Sequence, residues 1–233
     1  MVYPDSIVQL MDVNAQEVAE KEITLLFGKY ISKAKTDADG IMEVEFDSDK
    51  NVVKVTDWKG WTDLRLFRRQ SDITVWVKLT TKHGKSIVAT PSALIMVYDP
   101  TLTHKGFHGE TKYAYTITPF ENVKADDIVR VRHTLNGMDF DIDFDIIEKI
   151  EYLKTEPKIG YQITTKSGFY NCNDFYLYGE LLSSGPTTIT DTSADTDFIK
   201  QLRQQAASVL GVPSVLLNTN DPLIPPKYPK FWK

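Results

Sequence analysis

Three groups of residues in this 233-residue chain carry side chains suited to chemistry. His104 and His108, with Glu110 two residues on, offer two imidazoles and a carboxylate, donors that zinc accepts. A structural zinc site needs four ligands as a rule, and Thr101–Glu110 reads as a loop with Gly106 and Gly109, so no helix fixes their spacing. Asp139, Asp141, Asp143 and Asp145 are hard oxygen donors of the kind calcium takes. Their period of two puts all four on one face of a strand. That suits a charge ladder against Arg130 and Arg132 better than an oxygen cage. Cys172 is the single thiol, has no candidate base beside it in sequence, and reads as a small residue facing the core. These residues predict no metal site and no cofactor.

The elements that would position these residues are mostly strands. Ser6–Leu10 is a short apolar run after a Pro-Asp turn signal. Ile23–Lys33 has helical spacing of Leu26, Phe27, Tyr30 and Ile31, with Thr24 as a candidate cap. Asp37–Gly40 reads as a turn, and Met42–Phe46 and Val52–Val55 alternate like strands. Thr74–Thr81 and Ser86–Thr90, joined at His83-Gly84, read as a hairpin. Ile128–Phe144 is a second hairpin, turned at Asn136-Gly137, where both residues tolerate positive φ. A two-residue loop there sets Arg132 against Asp141, Arg130 against Asp143, Val131 against Ile142 and Val129 against Phe144. Cross-strand pairs of this kind add about 0.2–1 kcal/mol each. Ser183–Ala194 is small and polar and reads as a linker. Residues 195–210 read as a helix capped by Thr196 or Asp195, with Phe198, Leu202, Ala206 and Leu210 on one face and Gly211 as the stop. Five prolines follow, from Pro213 to Pro229, so the end of the chain reads as an extended arm.

Composition bounds the function. Hydrophobic residues are 42% and charged residues 25%, enough for an ordinary globular core. The net charge of −5 gives no general attraction for nucleic acid or an anionic membrane, so neither is expected as a partner. One cysteine rules out an internal disulfide and suits a reducing compartment. No apolar run has membrane-spanning length, and the first residues lack the basic start and apolar stretch of a secretory signal. Trp58, Trp61 and Trp76 read as core or core-rim residues. Tyr228, Phe231 and Trp232 differ. A proline-rich arm cannot bury them locally, so they are candidate partner-binding residues.

Five segments then stand out together. They are MVYPDSIVQL at 1–10, KEITLLFGKY at 21–30, WVKLTTKHGKSIVATPSALIMVYDP at 76–100, FENVKADDIVRV at 120–131, and Glu148–Gly179, which ends in GYQITTKSGFYNCNDFYLYG. In order and spacing they resemble the blocks of Hint domains, the fold shared by inteins and Hedgehog autoprocessing domains, and most of all the phage-type mini-inteins. In the family's first block a catalytic Cys or Ser stands four residues before an Asp-Thr or Asp-Ser pair. Here Asp5-Ser6 match, and Met1 holds the nucleophile position. A later block has Thr-x-x-His, of which Thr90 matches and Ala93 stands at the histidine. The last blocks have an Asn-Asp or Asn-Gly turn, matched by Asn173-Asp174, and end in His-Asn, replaced by Tyr178 and Gly179. Gln162 stands where an acidic residue is often found. The segment 132–158 is too short for a homing-endonuclease insertion.

The resemblance implies an all-β, horseshoe-like fold of long bent strands over 1–179, to which the residue pattern adds a linker over 180–194 and a C-terminal helix and arm over 195–233. It implies protein splicing as the family's reaction, and each step needs a group this chain lacks. Splicing begins with an acyl shift onto a side-chain nucleophile. A thioether cannot serve, and Met1, opening the chain, is expected to have no upstream bond to break. The Thr-x-x-His histidine donates a proton and polarises the scissile amide, which the Ala93 methyl cannot do. The last step cyclises an Asn side chain, and Gly179 has none. Tyr178, with an unperturbed pKa of about 10, is a poor general acid at neutral pH. Glu180 follows where the family places Cys, Ser or Thr. The expectation is a non-catalytic structural or interaction protein on a degenerate Hint domain, set in a phage virion assembly (tail, neck or baseplate) or made in the host cytoplasm, and docking through its C-terminal helix and arm. The alternative is an intein or autoprocessing domain wholly or partly inactivated by these substitutions. Elemental analysis of the purified chain checks the metal reading. No stoichiometric zinc or calcium is expected, and an equivalent of zinc removed by His104→Ala would overturn it.

Overall fold

The structure, a computed structural model, describes residues 1–14, 17–47, 53–57, 60–99, 101, 104–105, 111–112, 114–135, 138–140, 144–179 and 188–190. Chain order runs β1 (Ile7–Asp12), β2 (Glu17–Glu22), α1 (Ile23–Tyr30), a 3₁₀ turn (Ile31–Lys33), β3 (Lys35–Thr36), β4 (Met42–Glu45), β5 (Val53–Asp57), β6 (Gly60–Thr81), β7 (Ser86–Ala89) and β8 (Leu94–Tyr98). It continues through β9 (His104–Lys105), β10 (Thr111–Lys112), β11 (Ala114–Pro119), a second 3₁₀ turn (Phe120–Asn122), β12 (Ile128–Val129), β13 (His133–Leu135), β14 (Met138–Phe140), β15 (Asp145–Thr165), β16 (Phe169–Cys172), β17 (Phe175–Tyr178) and β18 (Thr188–Thr190). The chain divides into two compact units, residues 1–96 with 118–185, and residues 97–117 with 186–233.

The first unit is framed by β6 and β15, of 22 and 21 residues. They pair antiparallel from Ile147 opposite Thr81 to Thr165 opposite Leu64. Strands this long cannot stay in one register without accumulating twist, and four register shifts interrupt the ladder. The largest lies between Lys154 and Lys158, where Pro157 has no amide hydrogen to donate to a ladder. At the next shift, between Lys158 and Gly160, the extra residue is in β6, where Asp72 takes a left-handed φ of 65°. Sequence patterning shows only the two ends of these strands, because none of residues 70–75 or 152–158 is buried.

Shorter strands dress this frame. β7 pairs with β6 through the expected hairpin, with Gly84 at φ 79°. β4 and β5 each pair with β6 rather than with one another. β1 lies between β5 and β2. β16 and β17 form a two-residue hairpin at Asn173-Asp174, both at positive φ (48° and 68°), as a type I′ turn requires. α1 forms where helical spacing predicts it and buries Ile23, Leu26, Phe27 and Tyr30. Its cap differs from expectation. Glu22 is the N-cap and makes no side-chain cap bond, while the Thr24 hydroxyl donates to the Pro4 carbonyl at 2.6 Å. The Thr24 bond ties the helix to the first residues of the chain instead of closing its own end.

The second expected hairpin is right at its tip and wrong at its base. His133 faces Phe140 and Leu135 faces Met138, the register of a two-residue loop. At the base Val129 faces Asp145, not Phe144. The frame imposes this change of one residue, because β15 is aligned on β6 from Ile147 opposite Thr81 and its preceding residues face β12. In the second unit β9 pairs β10, and Ala114–Thr116 pairs with Thr188–Thr190. There the buried rings of Tyr98 and Tyr115 stand edge-on, centroids 6.2 Å apart. The expected helix and arm at 195–233 lie outside the described residues. Among the described residues no helix is long and apolar enough to cross a membrane.

The core of the first unit centres on Phe67 from β6, Tyr161 from β15 and Phe27 from α1. Phe27 and Phe67 are edge-on at 5.0 Å, and Tyr161 lies 5.7 and 5.9 Å from them. Phe27 and Phe67 are 1% and 0% exposed, so truncation leaves a cavity that close packing cannot refill. Phe67→Ala is therefore expected to lower stability by about 3–5 kcal/mol, read as a lower urea midpoint.

Candidate functional site

The first two residues of the chain are held as a strand between β15 and β7. Val2 exchanges backbone bonds with Tyr161, at 2.7 Å as donor and 3.0 Å as acceptor, and Tyr3 N–H donates to the Val88 carbonyl at 3.0 Å. The Tyr3 ring stands edge-on to Trp76 at 4.9 Å. Met1 therefore arrives at a fixed place. Its nitrogen donates to Thr90 Oγ1 at 2.7 Å, and its carbonyl accepts the Thr90 N–H at 2.8 Å. Gly160 makes room for it, since a Cβ there would lie 3.1 Å from Met1 Cβ and 2.5 Å from Ile73 Cδ1.

Thr90 begins a turn whose far side is Ala93. The Ala93 N–H donates to the Thr90 carbonyl at 2.9 Å, and the Ala93 carbonyl accepts Phe120 N–H at 2.8 Å. Tyr178 ends β17, opposite Leu94 of β8 and Phe169 of β16. Its ring lies against Gly168, where a Cβ would come within 2.8 Å of it, and 5.0 Å from the Phe169 ring. Met1, Thr90, Ala93 and Tyr178 thus line one cavity of about 400 Å³, with Gln162 and Tyr170. Residues 1, 90, 93 and 178 meet because β15 carries the first residues on one stretch and the β16–β17 hairpin folds back beside it.

Gly179 follows directly. Its N–H donates to the Gly168 carbonyl at 2.8 Å. Its carbonyl accepts two side-chain donors, Gln162 Nε2 at 2.6 Å and Thr164 Oγ1 at 3.0 Å. A Cβ built on Gly179 would lie 1.8 Å from the Ile163 carbonyl oxygen and 2.9 Å from its carbon. The obstacle is the backbone of the frame strand, which cannot swing aside as a side chain can. Position 179 accepts no side chain in this packing, asparagine included.

Gln162 and Thr164 are the residues that sequence reasoning undervalued. Gln162 was visible only as a departure from an acidic position, and Thr164 not at all. The signal available was their spacing of two on one strand, which puts both on the same face.

Among the described residues the cavity wall is poor in acid–base side chains. Its ionisable side chains are Arg68, Tyr170 and Tyr178. The Arg68 Nε donates to Glu43 Oε1. Burial raises the Tyr170 phenol well above its ordinary range, so it stays neutral at physiological pH. Cys172 is fully buried, and burial pushes its thiol up to about 12. That agrees with its reading as a core residue.

The other sequence candidates lie elsewhere. His104 is on β9, while His108 and Glu110 fall outside the described residues, as do Tyr228, Phe231 and Trp232. Of the four aspartates, Asp141 and Asp143 are outside the description. Asp145 is buried with its Oδ1 2.8 Å from His83 Nδ1, a partner on the β6–β7 turn that sequence spacing does not suggest. Among the described residues no group of three His, Cys, Asp or Glu side chains is placed to hold a metal.

The fold that carries this arrangement superposes on solved inteins. The PabCDC21-1 intein superposes at a TM-score of 0.57 with 12% identity, over 77% of this chain and 98% of that one. The TvoVMA intein gives 0.56 and 16%, over 77% and 97%. A KlbA intein precursor from Methanococcus jannaschii gives 0.52 and 16%, over 78% and 92%. The chain has the intein-type fold. At these identities the likeness establishes the fold alone. No family model matches the sequence, and no curated protein matches it.

Two outcomes follow for this intein-type core. Gly179→Ala is expected to cost about 3 kcal/mol or more, because overpacking against backbone forces a strand shift and strains three hydrogen bonds. Thermal unfolding checks this, and an unchanged midpoint would contradict the packing. Cys172 is expected to resist a thiol-reactive dye at pH 8 in the native protein and to react fully in denaturant, since with a pKa of about 12 only about one thiol in 10⁴ is ionised.

Proposed function

We propose that this chain is a non-catalytic structural or interaction protein built on an intein-type domain. The observation that carries the reading is at Gly179. The residue whose side chain would have to cyclise has no side chain, and the Ile163 carbonyl occupies the space for one. Restoring asparagine would require moving β15, the frame of the unit. Ala93 and Met1 agree with it. A methyl group stands where a proton donor is needed, and a thioether where a nucleophile is needed.

The setting we infer is a phage virion assembly, in a tail, neck or baseplate. Support comes from the resemblance of the sequence blocks to phage-type inteins and from the composition of the C-terminal segment. Residues 1–179 act as a folded anchor, 180–194 as a linker, and 195–233 as the docking segment, with Tyr228, Phe231 and Trp232 inserting into a protein partner. The partner is a protein, with neither nucleic acid nor membrane involved.

One observation favours a second reading, an autoprocessing domain with residual cleavage. Two donors converge on the Gly179 carbonyl, as in sites that stabilise an oxyanion. Against it, the ionisable side chains of the wall among the described residues are Arg68 and two tyrosines, none of them a general base suited to neutral pH.

Intact mass of the purified chain separates the two. A single uncut species over several days at 37 °C is expected. A fragment beginning at Glu180, lost in Gln162→Ala, would establish residual cleavage and overturn the non-catalytic reading. Photo-crosslinking from position 232 in a native assembly tests the arm, with a crosslinked partner protein expected.

A further inference from the structure

A second cavity of about 340 Å³ lies in the first unit, away from Gly179, and the splicing positions take no part in it. Its wall brings together Gln9 of β1, Glu20 of β2, Lys85 and Ser86 at the start of β7, Arg132 before β13, and the tip of the β16–β17 hairpin. The hairpin tip is clamped to β1. Asn173 N–H donates to the Ile7 carbonyl at 2.9 Å, and Ile7 N–H donates to Asn173 Oδ1 at 2.6 Å.

The donors and acceptors of this wall are unequally used. Asp174 Oδ2 accepts Lys85 Nζ at 2.6 Å, and its Oδ1 accepts Arg132 Nε at 3.2 Å. Gln9 Oε1 accepts Arg132 Nη1 at 2.8 Å, and Glu20 Oε1 accepts Arg132 Nη2 at 3.2 Å. Asn173 Oδ1 is taken by Ile7. Five acceptor oxygens are thus engaged by the protein itself. Donor capacity is left over. An ammonium has three hydrogens, and Lys85 directs one to Asp174. The amide nitrogens of Gln9 and Asn173 and the Ser86 hydroxyl add more. Asn171 is decisive. It is 2% exposed, it forms part of the wall, and its Nδ2 has no acceptor among the described residues. A buried amide donor left without an acceptor is costly, and folded proteins supply one.

A wall with spare donors and engaged acceptors fits a ligand that brings acceptors only. We propose that this cavity binds an oxyanion, the carboxylate or phosphate group of a small molecule or of an acidic residue on a partner chain. Lys85 and Arg132 are balanced by Glu20 and Asp174, so recognition rests on directed hydrogen bonds rather than on net positive charge. The site is independent of the non-catalytic reading and stands whether or not the chain cleaves itself.

The test is an NMR titration of the full-length, ¹⁵N-labelled chain with inorganic phosphate and, separately, with a capped Gly-Asp-Gly peptide, ionic strength held constant with chloride. Saturable shifts are expected at the Asn171 side-chain amide and at the backbone of Ile7, Ser86 and Asp174. Tighter binding of the peptide assigns the site to a partner's acidic side chain, and tighter binding of phosphate assigns it to a free anion. Asn171→Asp, which replaces the donor with a like charge, is expected to weaken binding at least tenfold. Should that variant fail to fold, Ser86→Ala is expected to weaken binding several-fold. Shifts that chloride reproduces, or variants that bind as tightly as the parent, would overturn the proposal.

Discussion

The antiparallel pairing of β6 with β15 is the constraint on which the first unit depends. It runs from Ile147 opposite Thr81 to Thr165 opposite Leu64, and several shorter strands pair directly with one of the two. β4, β5 and β7 hang on β6, and β12 starts from the head of β15. Val2 is captured by Tyr161, in the distal half of β15. Register shifts divide the ribbon, so each half makes its own face and its own contacts. The aromatic contact of Phe27, Phe67 and Tyr161 then fastens α1 to the half that carries the chain start.

That same ribbon decides what position 179 can be. The end of β17 runs so close to Ile163 that only a glycine fits, and Gln162 and Thr164, flanking Ile163, reach around it to the Gly179 carbonyl. The three bonds at Gly179 hold the residue that follows β17 against β15 and Gly168. A glycine adopted for want of chemistry and a glycine demanded by packing would look alike in sequence. Here the close approach of two backbones makes it a packing requirement.

Much of this was legible beforehand. The type I′ turn at Asn173-Asp174 follows from two residues that tolerate positive φ, and the helix at Ile23–Tyr30 follows from its apolar spacing. The grouping of Met1, Thr90, Ala93 and Tyr178 was legible only through family resemblance, because no local rule relates residues so far apart. The misreadings share one cause. Thr24 has the chemistry of a cap, yet the Pro4 carbonyl competes for its hydroxyl. Val129 should face Phe144 by hairpin counting, yet β15 is already aligned by β6 and presents Asp145. Local preference worth about 1 kcal/mol yields to tertiary contact.

By itself, the sequence determined most turns and the α1 helix, because these rest on residue type or short-range spacing, and it gave the fold class through the resemblance of its segments to a known family. Tertiary structure alone decided the length and kinks of β6 and β15, the exclusion of any side chain at 179, the two donors on its carbonyl, the pairing of Asp145 with His83, and the donor-rich wall around Asn171. These depend on distances between strands remote in sequence, where a shift of one residue turns a side chain to the opposite face and a few tenths of an ångström separate contact from overlap.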